Sequence, residues 1–401
     1  MSQIKACLIC LLCFILTSLK VIYELFFMFY DSLTAEQEFD FEMPIKSEYK
    51  QITVDTVTNE VKSVRQPRIT HRGSYSSKID ITLRDNTLTI SGNPSRYNRE
   101  ENLFGINQID ECFKVYNEIL SELDLPLLTK CTKVMHLQGE DGTQVKTVSD
   151  GAIIKRVDMT TNMSVGKGAE REYIRAVSTL PWRNKKGHLF PNGFGCDWLN
   201  KMGNAGSREY LKLYCKYNEL NLHAMPKAKR EFGINSPEYK YLERVRDYCI
   251  EMGVARFENE LHRDFLRENN LRYWGLLNEE DFKITHDKFV NIDQKLQVTK
   301  MDIEHVNETL LRKGICTTTY SASTTASYFS SWMSGKVFDF SMSAPKLHAS
   351  RLNKIGIDIR VPFDSSRHSP VIVRKAIIIK PTALVIPQWY KMPAHNLALV
   401  A

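Results

Sequence analysis

The feature that most constrains the fold is the alternation of residues 209–220 (EYLKLYCKYNEL). A period of two is typical of a β-strand, in which successive side chains point to opposite faces. One face of this strand carries Tyr210, Lys212, Tyr214 and Lys216. A tyrosine between lysines can attack phosphate, because the lysines favour the phenolate and hold the phosphodiester close. The same pattern is also typical of an ordinary half-buried strand with solvated lysines.

Two further stretches, residues 153–162 (IIKRVDMTTN) and 254–263 (VARFENELHR), alternate in the same way and have apolar backs. We expect the three strands to form one sheet with a shared polar face. Carboxylates gathered there suit Mg²⁺ (or Mn²⁺), which takes oxygen ligands and polarises phosphate. The polar residues of the two added strands are Arg156, Asp158, Thr160 and Asn162, and Arg256, Glu258, Glu260 and His262.

Composition is that of a globular protein. The 401 residues are 43% hydrophobic and 25% charged, which allows one large core or two to three smaller ones. A net charge of +7 permits a polyanionic partner. Residues 345–401 hold nine Lys or Arg and two Asp, so this end of the chain points to nucleic acid. The nine cysteines lack zinc or disulfide spacing beyond the first residues, which predicts a reducing compartment.

Residues 1–27 form an apolar leader whose role is open. The run from 6 to 19 resembles the apolar part of a signal peptide, but Lys20 and Glu24 interrupt it before a full membrane span is reached. The leader is an upstream extension from a misassigned start, a membrane anchor or a cleaved signal. The first of these fits a cytosolic DNA enzyme without strain.

We predict an α+β fold, with an antiparallel or mixed sheet and flanking helices. Residues 28–150 are expected to form a β-rich domain with one helix, and residues 151–295 a core that holds the three strands. A helix that begins at Ser236 and ends at Gly253 connects two of these strands. Residues 296–401 form a basic region, in which a helix followed by strands at 371–374 and 376–379 resembles a winged helix.

Two further places have the composition of a DNA contact. In the winged-helix-like region, His348, Arg351 and Lys354 are expected on one helix face that suits a DNA groove. An ordinary charged helix face is the alternative. Residues 182–188 (WRNKKGH) predict a basic loop that meets phosphate and stacks a base, or else a solvated loop. The loop's contributors are Trp182, Arg183, Lys185 and Lys186, and Arg156 and Arg256 complete the predicted DNA contacts.

Several motifs, taken in order, resemble the core of the gene II replication proteins of filamentous phages, and more loosely the initiators of some rolling-circle plasmids. They are RVD at 156–158, YCKYNEL at 214–220 and RFENEL at 256–261, together with NLFG at 102–105 and KLHASRLNKIGIDI at 346–359. The resemblance implies a nickase-like core in the host cytoplasm. It implies an enzyme that nicks one strand of double-stranded phage DNA at the plus-strand origin and later closes the displaced single strand into a circle. Host helicase and polymerase would be partners, and a homo-oligomer on the origin is left open.

The resemblance also selects Tyr214 as the nucleophile, which leaves a 5′-phosphotyrosine and a free 3′-OH. Lys212 and Lys216 would assist it. Asp158 and Glu258 would hold the cation, with Glu219 or Glu260 as a further ligand. Glu219 has the wrong parity for a straight strand, so it serves only if a bulge or a strand end intervenes. Tyr210, on the same face, and Tyr217, on the other, remain competing nucleophiles.

Two other functions remain open at this point. One is a DNA-binding regulator without chemistry, since the resemblance allows a shorter in-frame product that begins at Met301. The other is a membrane-anchored phage morphogenesis protein that uses the apolar leader. Residues 134–139 (VMHLQG) lack the second histidine of a metal-binding pair, so a packed or surface role is favoured for His136.

Overall fold

The structure, a computed structural model, describes residues 27–73, 78–138, 145–293, 303–363, 379 and 381–393. The fold is α+β, as the sequence predicted. All the strand pairings in these ranges are antiparallel. The strands are β1 (Met28–Glu38), β2 (Gln51–Val54), β3 (Val61–Arg65), β4 (Ile69–Arg72), β5 (Lys78–Arg84), β6 (Thr87–Gly92), β7 (Val134–Gln138), β8 (Val145–Ser149), β9 (Ile153–Ser164), β10 (Lys186–Leu189), β11 (Gly195–Leu199), β12 (Glu209–Cys215), β13 (Val254–His262) and β14 (Thr382–Ala383).

The main sheet has ten strands in the order β10-β11-β12-β13-β9-β1-β6-β5-β4, and β14 pairs with the end of β9. Strand β1 pairs with β6 on one side and with β9 on the other. Residues 28–150 and 151–295 therefore contribute to one sheet, and the boundary predicted at residue 150 falls within it. The hairpins β2-β3 and β7-β8 form two small separate sheets.

The helices lie mainly between strands of this sheet and after it. They are α1 (Ile109–Glu122), α2 (Glu170–Val177), α3 (Lys216–Glu219), α4 (Met225–Glu231), α5 (Pro237–Met252), α6 (Arg263–Glu268), α7 (Glu280–Val290), α8 (Ile303–Arg312), α9 (Thr319–Met333) and α10 (Ser343–Asn353). A short 3₁₀ turn covers Pro94–Arg96, and a π-helical segment, Leu220–Ala224, joins α3 to α4.

The three alternating strands bury one face, as predicted. Met159, Leu213 and Phe257 are fully buried there, and Phe257 packs edge-on against Phe289 of α7. Each large apolar side chain removed from water stabilises the fold by about 1.5–3 kcal/mol. This apolar back, covered by helices, fixes the register of the strands and leaves the opposite, polar face for other uses.

Helix α5 begins and ends where the sequence predicts. The Ser236 hydroxyl accepts a hydrogen bond from the Tyr239 backbone N–H at 3.1 Å, and Pro237 occupies the first turn. Gly253 ends the helix with φ 60°, and a Cβ there would collide with the backbone of Gly166. The helix thus returns the chain to the sheet as β13, beside β12.

Strand β12 ends one residue earlier than predicted. Lys216 is the first residue of α3 instead of the last polar residue of the strand, so its predicted position is wrong. The helical run continues because Leu220, Ala224 and Met225 pack in a core shared with α5. Its wide π turn immediately precedes Pro226, whose ring is sterically incompatible with an ordinary preceding helical turn.

Helices α8, α9 and α10 share a core of their own, which includes Val306, Leu310, Ala326, Leu352 and Ile355. The predicted strands of the winged helix, at 371–374 and 376–379, lie outside the described residues except for Ile379, so a winged helix is not confirmed. The Met1–Phe26 part of the leader and Met301 also lie outside. Across the described ranges, no helix has both the length and the apolar character needed to cross a membrane.

Candidate active site

The polar faces of β12, β13 and β9 form one continuous surface, because the three strands pair in register. β13 lies in the middle, so each of its polar residues has one partner on β12 and one on β9. The sheet therefore brings together the tyrosine and the carboxylates that the sequence placed on one face. The three rows across the strands are Tyr214–Arg256–Asn162, Lys212–Glu258–Thr160 and Tyr210–Glu260–Asp158.

Tyr214 is half-buried, and its hydroxyl donates a hydrogen bond to Glu258 Oε1 at 2.5 Å. Burial raises the pKa of Tyr214 well above its ordinary value, Arg256 opposes this rise, and Glu258, Glu219 and Asp31 add to it. The phenol is therefore protonated at neutral pH, and its proton already points at a carboxylate that can accept it.

The cation beside this phenol is Arg256. Its side chain is fully buried, with the guanidinium 3.2 Å from Asp31 Oδ2 and 3.3 Å from Glu258 Oε1. It also donates to the backbone and side-chain oxygens of Asn102, each at 3.3 Å. Direct DNA binding by Arg256 is therefore a wrong prediction, because no part of the side chain is accessible. The lysines were also expected to be the main support of the phenolate, and Arg256 has that position instead.

Lys216 and Glu219 form a buried pair next to this arginine. The Lys216 ammonium lies 2.7 Å from Glu219 Oε2 and 3.4 Å from Asn102 Oδ1. Although burial opposes ionisation, the Lys216 charge lowers the pKa of Glu219. The end of β12 at Cys215 supplies the strand end that Glu219 required in order to reach the site. Glu219 influences the Tyr214 phenol electrostatically, as expected of a residue on the same side.

Lys212 remains on the strand face, as predicted. Its ammonium lies 3.8 Å from Glu258 Oε2 and 3.7 Å from Glu260 Oε2, and 4.7 Å from the centre of the Tyr210 ring. About a third of the side chain is exposed, 30% by area. It is therefore a cation that an incoming phosphate can reach.

Asp158 lies at the other end of the carboxylate row. Arg156 binds it through two hydrogen bonds of 2.9 and 2.8 Å and also contacts Glu260 at 2.9 Å. Burial raises the pKa of Asp158 to about 7, with Glu260 and Asp31 adding to the rise while Arg156 opposes it. Arg156 keeps 43% of its side chain exposed and remains a candidate for DNA contact.

Two carboxylates of this face were missed by the sequence reasoning. Asp31 lies in β1 at a register shift between Tyr30 and Ser32, so the alternation that would reveal it is broken there. Asp197 lies in the short strand β11, which contains too few residues for a clear period. Asp197 Oδ2 accepts a 2.7 Å hydrogen bond from the Tyr210 hydroxyl.

The oxygen donors on this face match, in type, those that Mg²⁺ or Mn²⁺ prefers. In addition to the carboxylates, two buried oxygens, Thr160 Oγ1 and Asn162 Oδ1, have no hydrogen-bond partner among the described atoms. No three acidic, histidine or cysteine side chains within the described ranges already stand as a ligand shell. The donor set therefore fits a hard divalent cation in chemistry, while arginine and lysine partners hold the carboxylates in this arrangement.

The predicted basic loop is partly used for internal contacts. Trp182 is buried, and its indole N–H donates to Glu209 Oε1 at 3.1 Å, so stacking on a base is a wrong prediction for it. The Lys185 ammonium donates to the backbone carbonyl of Glu209, and burial lowers its pKa. Arg183 pairs with Glu209 at 3.1 Å but keeps 54% of its side chain exposed, and Lys186 is exposed.

On α10 the predicted groove face is wrong for His348. This histidine is buried, shares a 3.0 Å hydrogen bond with Thr325 and stacks on Tyr328 at 4.2 Å. Arg351 and Lys354 are half-buried and remain candidates for DNA contact. His136 lies on the surface of the β7-β8 hairpin, as favoured, with Nδ1 3.1 Å from Thr147 Oγ1.

Comparison with known proteins gives a consistent relationship. A family profile described as the N-terminal part of the gene II replication-associated protein matches residues 29–280, and one described as its C-terminal part matches residues 310–396. The replication-associated protein of the same name from Escherichia phage If1 is 43% identical over 317 residues, which cover 79% of this chain and 98% of that protein. All three strands of the polar face lie within the first match.

Proposed function

The chain belongs to the gene II replication-associated protein family, and we propose that it starts phage DNA replication by nicking one strand of the double-stranded replicative form at the plus-strand origin. The observation that carries the proposal is the hydrogen bond from the Tyr214 hydroxyl to Glu258, beside the buried guanidinium of Arg256. A nucleophile, a proton acceptor and a fixed positive charge then stand together, as covalent catalysis on a phosphodiester requires.

In the first step, the Tyr214 oxygen attacks the scissile phosphorus while Glu258 accepts the phenolic proton. The bond to the 3′ oxygen of the preceding nucleotide breaks, which leaves a 5′-phosphotyrosine and a free 3′-OH. Arg256 stabilises the charge that develops on the phenol oxygen. Because Arg256 is also held by Asp31 and Asn102, its position costs no reorganisation during the reaction.

A divalent cation completes the proposed site. Mg²⁺ (or Mn²⁺), held by Asp158 and Glu258 with Glu219 or Glu260 as a further ligand, would supply when bound the positive charge that polarises the phosphate. Lys212 and Arg156, both partly exposed on the same face, orient the phosphate. Arg183 and Lys186 extend this positive surface along the DNA backbone.

The 3′-OH then primes synthesis by host helicase and polymerase in the bacterial cytoplasm. After one round, the 3′-OH of the displaced strand attacks the phosphotyrosine. The oxygen of tyrosine leaves and takes back a proton, and the strand is closed into a circle. Since the phosphotyrosine conserves the energy of the original bond, the joining requires no ATP.

A supercoiled plasmid that carries the phage origin tests the proposal. With Mg²⁺, we expect open circles with covalently bound protein. We expect Tyr214→Phe to lose both the nick and the adduct, while Tyr217→Phe retains them because Tyr217 packs against Phe194 on the other face. Nicking by Tyr214→Phe at the wild-type rate would contradict the proposal. Origin binding without nicking by the wild-type chain would favour a regulator instead.

A further inference from the structure

Two tyrosines, not one, donate their hydroxyl protons to carboxylates on this face. Tyr214 donates to Glu258 at 2.5 Å, and Tyr210 donates to Asp197 at 2.7 Å. Both phenols are half-buried and belong to strand β12, four residues apart. The mechanism above uses only the first pair, so the second has no role in it.

The two pairs are arranged on opposite sides of Lys212. Tyr210 precedes this lysine by two residues and Tyr214 follows it by two. Asp197 of β11 and Glu258 of β13 are both in register with Lys212, one on each side. Each phenol therefore leans along the strand toward the row of the lysine.

This convergence shortens the distance between the two hydroxyls. Two same-face residues four apart on a strand have Cα atoms about 13 Å apart, whereas residues on the strands to either side of a central strand are separated by about 10 Å. The two phenol oxygens therefore flank one lysine, whose ammonium contacts both Glu258 and the Tyr210 ring. A single DNA junction held over Lys212 can reach both.

The surroundings of Tyr210 are suited to proton transfer. Asp197 is only 6% exposed, and its other oxygen lies 3.3 Å from Nδ1 of the partly exposed His188. Burial and the hydrogen bond to Asp197 raise the pKa of Tyr210, so this phenol also remains protonated until a phosphate arrives. Asp197 thus stands to Tyr210 as Glu258 stands to Tyr214.

We propose that Tyr210 is a second nucleophile that alternates with Tyr214, an inference that rests on the proposed nicking function. When the origin sequence has been copied once, Tyr214 still carries the 5′ end of the displaced strand. The Tyr210 oxygen attacks the regenerated origin phosphodiester and gives its proton to Asp197. The broken bond leaves a 3′-OH on the displaced strand and a 5′-phosphotyrosine on Tyr210.

The balance closes in the next step. The new 3′-OH attacks the phosphorus held by Tyr214, its proton goes to Glu258, and the Tyr214 oxygen leaves and recovers that proton. The products are one closed single-stranded circle and an enzyme that is already bound through Tyr210 to the newly made strand. No water, oxidant or nucleotide is consumed, and the next round can begin with the roles of the tyrosines exchanged.

The first test compares the two steps in Tyr210→Phe. We expect the first covalent adduct to form within a few-fold of the wild-type rate, while release of single-stranded circles in a replication assay falls by at least about 100-fold. Tyr239→Phe, in a helix away from the face, is the matched control and should retain both. Circle release by Tyr210→Phe at the wild-type rate would overturn the inference and leave the nicking proposal intact.

The second test needs no variant. The wild-type adduct is formed with one origin oligonucleotide, freed of excess DNA, and challenged with a second origin oligonucleotide of different length. We expect a joined product of hybrid length, and peptide mapping should find the second oligonucleotide on Tyr210. A hybrid product with DNA only on Tyr214 would overturn the role of Tyr210. Absence of any first adduct would instead refute the nicking proposal.

Discussion

Arg256 lies directly opposite Tyr214 on the neighbouring strand, and its guanidinium is completely shielded from solvent while it holds Asp31 and Glu258. A buried arginine with two carboxylates is a costly arrangement unless every partner is present. Its position beside the phenol explains why the chain keeps it, because it offsets the negative charge that forms on the Tyr214 oxygen during attack.

We therefore expect Arg256→Ala to abolish adduct formation and to lower the free energy of unfolding by about 3–5 kcal/mol, since two buried carboxylates lose their partner. Urea denaturation followed by circular dichroism measures the loss. Arg175→Ala, at an exposed site of α2, is the control and should change stability by less than about 0.5 kcal/mol. A stable Arg256→Ala protein with normal nicking would contradict the assigned role.

Glu258 is expected to accept the proton of Tyr214, and a glutamine in its place keeps the size but not the basicity. We expect Glu258→Gln to slow single-turnover adduct formation by about 10²–10⁴-fold. Glu251→Gln, which breaks an exposed ion pair with Lys167, should leave the rate unchanged. A reduction no larger than that of the control would remove Glu258 from the chemistry.

The pKa of Asp158 predicts a specific pH dependence of stability. In the folded chain this pKa is about 7, against an ordinary value of 3.8, so the folded state binds a proton that the unfolded state has released. The contribution of Asp158 to the free energy of unfolding is therefore fully present below pH 3.8 and is lost as the pH rises to about 7. Without divalent cations, Asp158→Asn should lack this part of the slope. Parallel curves for the two proteins would contradict the prediction.

The segment 381–393 supports the site from behind. The Tyr390 hydroxyl accepts hydrogen bonds from Arg99 at 2.7 Å and from the Phe104 backbone N–H at 2.9 Å. The chain just before Phe104 includes Asn102, which holds Arg256. We expect Tyr390→Phe to lower the free energy of unfolding by about 1–3 kcal/mol, because buried donors lose their acceptor.

The same Tyr390→Phe change should slow nicking through Asn102 and Arg256, a few residues away from the altered hydroxyl. Thermal unfolding and the plasmid assay measure the two effects. Tyr320→Phe, at a position that is 83% exposed, provides the comparison and should alter neither. Normal stability and normal nicking in Tyr390→Phe would show that this segment does not support the site.

The parts of the site that the sequence predicted correctly depend on local periodicity. Alternation placed Tyr214, Glu258 and Asp158 on one face, because an apolar back determines which side of each strand is buried. Helix α5 was predicted from its cap residues, which act within a single turn. Both signals are written in neighbouring residues and need no knowledge of the rest of the fold.

The parts that were wrong or missed depend on contacts between distant segments. Lys216 was misplaced because packing of the following helix against α5, not the strand pattern, decides where β12 ends. Trp182 and His348 look accessible in sequence, but Glu209 and Thr325 provide buried partners for them. Asp31 was missed because a register shift in β1 hides its orientation from any simple period.

The most direct test of the central claim is to map the peptide that carries DNA after the first cleavage of an origin substrate. Digestion of the adduct with protease and nuclease, followed by mass spectrometry, identifies the modified residue. We predict a nucleotide attached through its 5′ phosphate to Tyr214. Attachment to a different residue, or a nick that carries a free 5′ phosphate and no protein, would contradict the account.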